Sequence, residues 1–271
     1  MRVPFVKMEG AGNDYVYFDA FAELPLARIE AAVPRIADRH YGVGGDGVIL
    51  VGPSRTADCR MTMYNADGSR GAMCGNGLRC VALLARQLQH VRADTMVIET
   101  DAGLRQATIL EQRGVTARVA VDLGEVTVAA EPRQVAIEGR VWSYWPGDAG
   151  NPHAVLFVDG DVDRAPVAEV GAAMQRLPAF GDGVNVEFVA VQADGSLNQR
   201  TFERGSGETL ACGSGAAVAA VAAIATGRVP GPRVTVRLRG GELIFARRGP
   251  SLVMEGPART VFHGEIVLAD P

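Results

Sequence analysis

Two stretches decide how this chain folds: "RGAMCGNGLRCVALLA" at residues 70–85 and "ETLACGSGAAVAAVAA" at residues 208–223. Each sets a cysteine, Cys74 or Cys212, directly before a Gly-x-Gly run that opens an apolar helical segment. The offset between them is 212 − 74 = 138, and at that offset "YNADGSRGAMCGNG" (64–77) lies over "FERGSGETLACGSG" (202–215). An independent pair obeys the same rule, because "GNDYVYFD" (12–19) overlies "GNPHAVLFVD" (150–159) with 151 − 13 = 138. A weaker match sets "DGVILV" (46–51) near "NVEFVAV" (185–191), one residue out of step. Self-similarity at a fixed period is a statement about architecture, so the chain reads as two related halves.

Periodicity supplies the elements. Alternating or β-branched runs at 95–100, 115–123, 233–238, 242–247 and 251–256 predict strands, and helical patterns fall at about 25–39, 75–89, 166–176 and 214–226. Pro34 predicts that the first helix is kinked or split. Many short strands with one central helix per half predict an α+β fold: two pseudo-symmetric domains, each a barrel-like, mostly antiparallel sheet around a central helix. Both post-cysteine helices are apolar on nearly every face, as a helix wrapped by sheet must be. The boundary is expected near "EQRGVT", giving an N-terminal half of 1–114 and a C-terminal half of 115–261, with 262–271 returning to the first.

Composition bounds the function. With 271 residues, 48% hydrophobic and 21% charged, the chain is that of a folded globular protein. Its 27 basic and 31 acidic residues form no long run of one sign, which argues against nucleic-acid or anionic-lipid partners and favours a small molecule. The run "AAVAAVAAIA" (216–225) is far shorter than the ~20 residues of a membrane span, and the N-terminus has no continuous apolar core of a signal sequence, so a cytoplasmic protein is expected. Four cysteines without a Cys-x-x-Cys pair predict reduced thiols, and four scattered histidines predict no metal centre. The Gly-x-Gly-x-x-Gly match "GVGGDG" (42–47) lies between a helix stop near Arg39 and the strand "VILV", the reverse of a dinucleotide loop, so no such cofactor is expected there.

A helix start preceded by Gly-x-Gly offers unpaired N–H groups and the positive end of the helix dipole, a cradle for a carboxylate. The same place is expected to draw a thiol down from its ordinary ~8.5 toward neutrality. With the halves related by pseudo-twofold symmetry, the expectation is one sulfur on each face of a substrate carbon. Inverting a carbon that bears hydrogen needs this: a thiolate removes the proton and a thiol delivers one to the other face. Cys59 and Cys80 lie in no duplicated site and read as core residues. Five asparagines, Asn13, Asn65, Asn76, Asn151 and Asn185, lie in these segments; asparagine is a common turn residue, but the matched occurrence of Asn13 and Asn151 in both halves favours ligand contact. Glu203 and Arg204 stand opposite Asn65 and Ala66, and such charges can hold an ammonium and a carboxylate.

The set "FVKMEGAGNDYV", "RHYGVGGDGVILV", "YNADGSRGAMCGNGLRCVA", "GNPHAVLFV", "GVNVEFV" and "FERGSGETLACGSGAAV" resembles the diaminopimelate epimerase family, in order and across nearly the whole chain. The resemblance implies a cofactor-independent two-base epimerase interconverting LL- and meso-2,6-diaminopimelate, in lysine and peptidoglycan biosynthesis, working as a homodimer. It makes Cys74 and Cys212 the acid–base pair and gives the reacting carboxylate to Gly75, Asn76, Gly213 and Ser214. Asn13, Asn65, Asn151, Asn185, Glu203 and Arg204 would bind the rest of the substrate, with His153 and Glu203 tuning the thiols. Glu9, Asp46 and Ser206 depart from common family residues, and Asp46 is left without a role. Two alternatives remain open, a proline or hydroxyproline racemase and an amino-acid-binding protein without turnover. Against the racemase, Asn76 and "FERG" stand where such enzymes typically carry histidine and Asp-Arg-Ser-Pro. A PhzF-like isomerase would lack the cysteine pair.

Overall fold

The computed structural model describes residues 1–268 and divides into two units, Met1–Asp122 with the segment from Gly256 onward, and Leu123–Glu255. The turn at Gly114, where the boundary was expected, lies inside the first unit as the tip of a hairpin whose strands pair Arg113 with Thr116. Of the tail expected to return to the first half, 269–271 lie outside the described residues.

The first unit runs β1 (Arg2–Gly10), β2 (Asn13–Asp19), α1 (Leu26–Ala31), α2 (Val33–Ala37), β3 (Gly47–Gly52), β4 (Cys59–Asn65), β5 (Arg70–Gly71), α3 (Gly75–Gln87), β6 (Thr95–Thr100), β7 (Gly103–Arg113) and β8 (Thr116–Asp122). The second follows as β9 (Thr127–Val128), β10 (Arg133–Ile137), β11 (Arg140–Asp148), β12 (Pro152–Phe157), α4 (Val167–Gln175), β13 (Asn185–Val191), β14 (Leu197–Glu203), β15 (Gly207–Thr209), α5 (Gly213–Ala225), β16 (Arg233–Leu238) and β17 (Gly241–Arg248). A long strand, β18 (Ser251–Val267), serves both: Ser251–Glu255 pair with β17, and the stretch beyond pairs with β1 from Arg259↔Glu9 to Val267↔Arg2. Only its first six residues read as strand in the sequence, because the alternation fails at "VFHGE" where exposure rises.

In the first unit the pairings β1–β2–β3–β4–β6–β7–β8–β18–β1 close on themselves, a barrel around α3. In the second, β11–β12–β13–β14–β16–β17–β18 is completed by the segment into β9, where Leu123 donates to Leu252 and Thr127–Val128 pair with Asp148 and Gly147. Most pairs are antiparallel, but each unit contains two parallel ones, β2–β3 and β4–β6 in the first, β12–β13 and β14–β16 in the second. These are right where the chain must cross over through helices, α1–α2 or α4 for the first pair and the central helix for the second.

The strands of the first parallel pair are covered on both faces, which explains their near-continuous apolar runs. Val48 and Leu50 of β3 face Ile29, Val33 and Ile36 of the outer helices, and β13 does the same with Val186 and Phe188 against Val167, Val170 and Met174. The split of the first helix falls at Ala32, with Pro34 in the opening turn of α2, where its missing N–H costs nothing.

The repeat is stricter in space than in sequence. Tyr15↔Gly47 and Val48↔Tyr64 in the first unit become His153↔Asn185 and Val186↔Phe202 in the second, and Cys59↔Ile98 becomes Leu197↔Val236, every partner shifted by 138. The third correspondence, read one residue out of step, is therefore in register: Gly47 matches Asn185. Register is pinned because a one-residue slip would turn each buried face outward.

Inside its barrel, α5 is buried from Gly215 through Ala223, apolar all round. Alanine dominates because the strands approach closely: a Cβ on Gly147 of β11 would lie 2.3 Å from Val218 Cγ1. Overpacking such a core costs ~1–3 kcal/mol. Ala220→Leu is therefore expected to lower the free energy of unfolding from urea titration by that order, and an unchanged midpoint would contradict a helix enclosed on every side.

Candidate active site

Both central helices begin on a thiol. Cys74 and Cys212 hold extended backbone (φ −131° and −113°) as N-caps, and each sulfur accepts the N–H of the third helical residue, Gly77 or Gly215, at 3.4 Å. An N-cap side chain normally takes an orphan N–H with oxygen, and here sulfur does so with weaker acceptance. The glycines are needed for space: a Cβ on Gly77 would sit 2.7 Å from Ile49 Cδ1, and one on Gly215 2.3 Å from Glu187 Oε1.

Around Cys74 the first unit gathers polar groups from β1, β2 and the loop before β3. The thiol donates to Asn13 Oδ1 at 3.3 Å, and Asn13 Nδ2 donates to Asp46 Oδ2 at 2.6 Å, so Asp46 holds the amide in one orientation. Asp14 N–H also donates to Asp46, and Asp14 itself is ion-paired with Lys7 and, at 2.7 Å, with Arg39. Burial pushes the Asp14 carboxyl up, but the two cations outweigh it and hold it low; burial and the neighbouring Asp14 charge push Asp46 up. Asn76 is buried in the first turn of α3, its Oδ1 without a hydrogen-bond partner among the described residues. Asn65 serves the turn after β4, donating to Ser69 Oγ at 2.9 Å.

Around Cys212 the second unit is different. His153 Nδ1 meets Glu187 Oε1 at 2.8 Å and its Nε2 meets Asn151 Oδ1 at 2.9 Å, with His153 and Glu187 side chains fully buried. Asn185 spans two strands, donating to Pro152 O at 3.3 Å and accepting from Arg204 N–H at 2.8 Å. Glu203 accepts from Thr209 Oγ1, and Ser214 Oγ lies 3.5 Å from the sulfur. Donor atoms of His153, Glu187 and Cys212 fall within 4.8 Å of one another, a nitrogen, oxygen and sulfur set of the kind zinc accepts. Spacing of histidines along the chain does not disclose such a cluster.

The expected drop of the thiols toward neutrality is not what the surroundings produce. Burial pushes Cys74 up, with only partial relief from the Gly77 N–H, the Tyr15 hydroxyl, the Asn76 N–H and the buried Arg79 cation. Cys212 is pushed up further, by burial first, then by the charges of Glu203 and Glu187, against Ser214 and the Gly215 N–H. The Glu203 charge beside Cys212 has the sign that disfavours the thiolate. The helix-end donors have the expected sign, but desolvation of a thiolate is the larger effect. Cys59 and Cys80 lie wholly in the core, each pushed up to about 12 by burial.

"GVGGDG" is a helix stop and turn: α2 ends at Ala37, Gly42 and Gly44 N–H groups donate back to Asp38 and Ile36 carbonyls, and β3 follows. No helix among the described residues is long and apolar enough to cross a membrane. Glu187 went unnoticed in the sequence, although a lone carboxylate inside the apolar strand "NVEFVAV" is itself a signal.

By fold, a chain of two such repeats is similar to solved proteins of two kinds. Over its whole length it superposes on a hydroxyproline epimerase from Agrobacterium vitis, with TM-score 0.75 and 18% identity covering 94% of that chain. A Bacillus anthracis phenazine biosynthesis protein of the PhzF family aligns with TM-score 0.72 and 16% identity, over 98% of this chain and 99% of that one. Sequence then narrows the class. The diaminopimelate epimerase family model matches residues 5–129 and 147–261, and the chain belongs to that family. It is 41% identical to the diaminopimelate epimerase of Geobacillus thermodenitrificans (96% of this chain, 95% of that one) and 40% identical to that of Leptospira biflexa (98% and 99%).

The sign of the Cys212 shift is testable. A carboxylate beside a thiolate repels it, so removing the charge stabilises the thiolate and lowers the pH at which it forms. Glu203→Gln is expected to move the ultraviolet thiolate titration of Cys212, taken as the difference from the Cys212→Ser protein, to lower pH. A shift to higher pH would refute the assigned cause.

Proposed function

We propose that the chain interconverts LL- and meso-diaminopimelate by two-base proton transfer at the α-carbon, with Cys74 and Cys212 as the acid–base pair. The observation that carries this reading is the duplicated thiol cap: each unit places one sulfur on the same N–H, at the same helix position, 138 residues apart. A structural cap would be better served by serine or aspartate. One cysteine removes the α-proton as thiolate, and the other, as thiol, returns a proton to the opposite face of the near-planar carbanion; the reverse reaction exchanges the roles.

The raised thiols suit a weak carbon acid. A high pKa reduces the thiolate population but makes the thiolate a stronger base, and the balance between these sets the rate. Backbone N–H groups at Gly75, Asn76, Gly213 and Ser214 would meet the carboxylate on which charge builds in the transition state. Asn13, Asn65, Asn151, Asn185, Glu203 and Arg204 would hold the remainder of the substrate, with His153 near Cys212 as a tuning group. The thiol pair supplies both acid and base, so the reading requires no cofactor. Family membership also supports a place in lysine and peptidoglycan biosynthesis, in the cytoplasm, with the chain as a homodimer and without nucleic-acid or membrane partners.

A likeness of fold to a hydroxyproline epimerase keeps one alternative in the test. Reduced protein incubated in deuterated water with LL-diaminopimelate, proline and hydroxyproline is expected to place deuterium at the α-carbon of diaminopimelate alone. Loss of a positioned acid or base costs ~10²–10⁴ in rate. Cys74→Ser and Cys212→Ser should each lose turnover by that order while keeping the wild-type circular dichroism. Deuterium in proline, or full turnover in either variant, would overturn the reading.

A further inference from the structure

At the common offset, the surroundings of the two caps diverge at several positions, among them a pair on the adjoining parallel strands. Tyr15 and Ile49 of the first unit correspond to His153 and Glu187 of the second, while Asn13 and Gly77 recur as Asn151 and Gly215. Ile49 fills its place with a methyl group against Gly77; Glu187 brings a carboxylate oxygen to the same place against Gly215. The side chain of Glu187 is wholly buried, in a strand otherwise made of apolar residues after Asn185, and its Oε2 has no hydrogen-bond partner among the described residues. Isoleucine shows that packing here does not ask for a charge, and a buried carboxylate is disfavoured unless something pairs with it. The pairing is with His153.

Once Nδ1 is engaged by Glu187, the imidazole ring cannot turn, and its Nε2 edge is presented to Asn151 Oδ1 at 2.9 Å. An amide whose oxygen is taken has its nitrogen end left to meet a ligand. We propose that Glu187 is a positioning residue for the reaction, acting through His153 to fix the Asn151 amide for the substrate. The proposal rests on the reading above of Asn151 as a substrate contact. In the first unit Asp46 holds the matching amide of Asn13 from outside the strand pair, so the two units solve one orienting problem with different side chains.

The test is a binding series that does not depend on turnover. Affinity for meso-diaminopimelate is measured by calorimetry on Cys212→Ala protein, alone and combined with Glu187→Ile or Glu187→Gln. Groups that orient metal ligands typically change affinity or activity ~10–100-fold when removed, and the same order is expected of a group that orients a binding amide. Glu187→Ile is expected to weaken binding by that order, whereas Glu187→Gln, whose amide can still pair with Nδ1 through its oxygen or its NH2 according to the tautomer, recovers to within about threefold of its parent. In the enzyme with Cys212 intact, Glu187→Ile should raise KM more than it lowers kcat. Should the isoleucine variant fail to fold, the double variant His153→Tyr/Glu187→Ile, which installs the pair present in the first unit, carries the same expectation. Parent-like affinity in either variant, or a lowered unfolding midpoint with KM unchanged, would show that Glu187 only packs. Absence of binding to the Cys212→Ala parent would overturn the substrate reading and this proposal with it; turnover retained by that parent would refute the acid–base role of Cys212 alone.

Discussion

The bond on which everything else turns is a weak one, from a glycine N–H to a cysteine sulfur at the mouth of a buried helix. A helix enclosed by a barrel cannot leave its first N–H groups to water, so they must be met by the cap or by a ligand. Sulfur satisfies one of them, at Gly77 or Gly215, and by doing so is fixed within the field of the rest. The geometry then propagates outward. Glycine at the third helical position is required because a side chain from the adjoining parallel strand, Ile49 or Glu187, occupies the space a Cβ would need. That strand must be covered on both faces, which in turn calls for the outer helices over it.

The same enclosure explains why the thiols titrate upward. Helix dipoles and backbone donors, with Arg79 at Cys74, favour a thiolate, yet the cost of desolvating the charge is the larger effect at each sulfur. Cys212 carries the added repulsion of Glu203 and Glu187, whereas Cys74 has Tyr15 as a hydroxyl neighbour and Arg79 as a cation. Two caps of one backbone design therefore present chemically different sulfurs. The repeat has diverged at the side chains around the two sulfurs, Tyr15 and Arg79 beside one, Glu187 and Glu203 beside the other.

Much of this was legible in the sequence because the informative pattern was a repeat. The offset of 138, the thiol caps, both central helices, and strands such as β6 and β16 follow from spacing and periodicity alone, and the α+β class follows from them. Two kinds of information were not local. The long strand β18 loses its alternation where its faces become exposed, so its run past Gly256 to pair with β1 depends on partners at the other end of the chain. The direction of the thiol shifts required knowing how deeply the caps are enclosed, since sequence discloses the donors at a helix start but not the desolvation that opposes them.

Glu187 joins these two cases. In sequence it is an irregularity in "NVEFVAV"; in space it sets a carboxylate where the other repeat sets a methyl group, against the matching glycine. Strand register leaves no freedom there, because Val186 and Phe188 must face the outer helix and position 187 must then face the central one. A carboxylate at that position is committed to the interior by the backbone, and its charge has to be answered by a neighbour on an adjacent strand. His153 lies on the adjoining strand β12, two residues before Val155, the register partner of Glu187, and two beyond Asn151, so the parallel pairing brings carboxylate, imidazole and amide into one line.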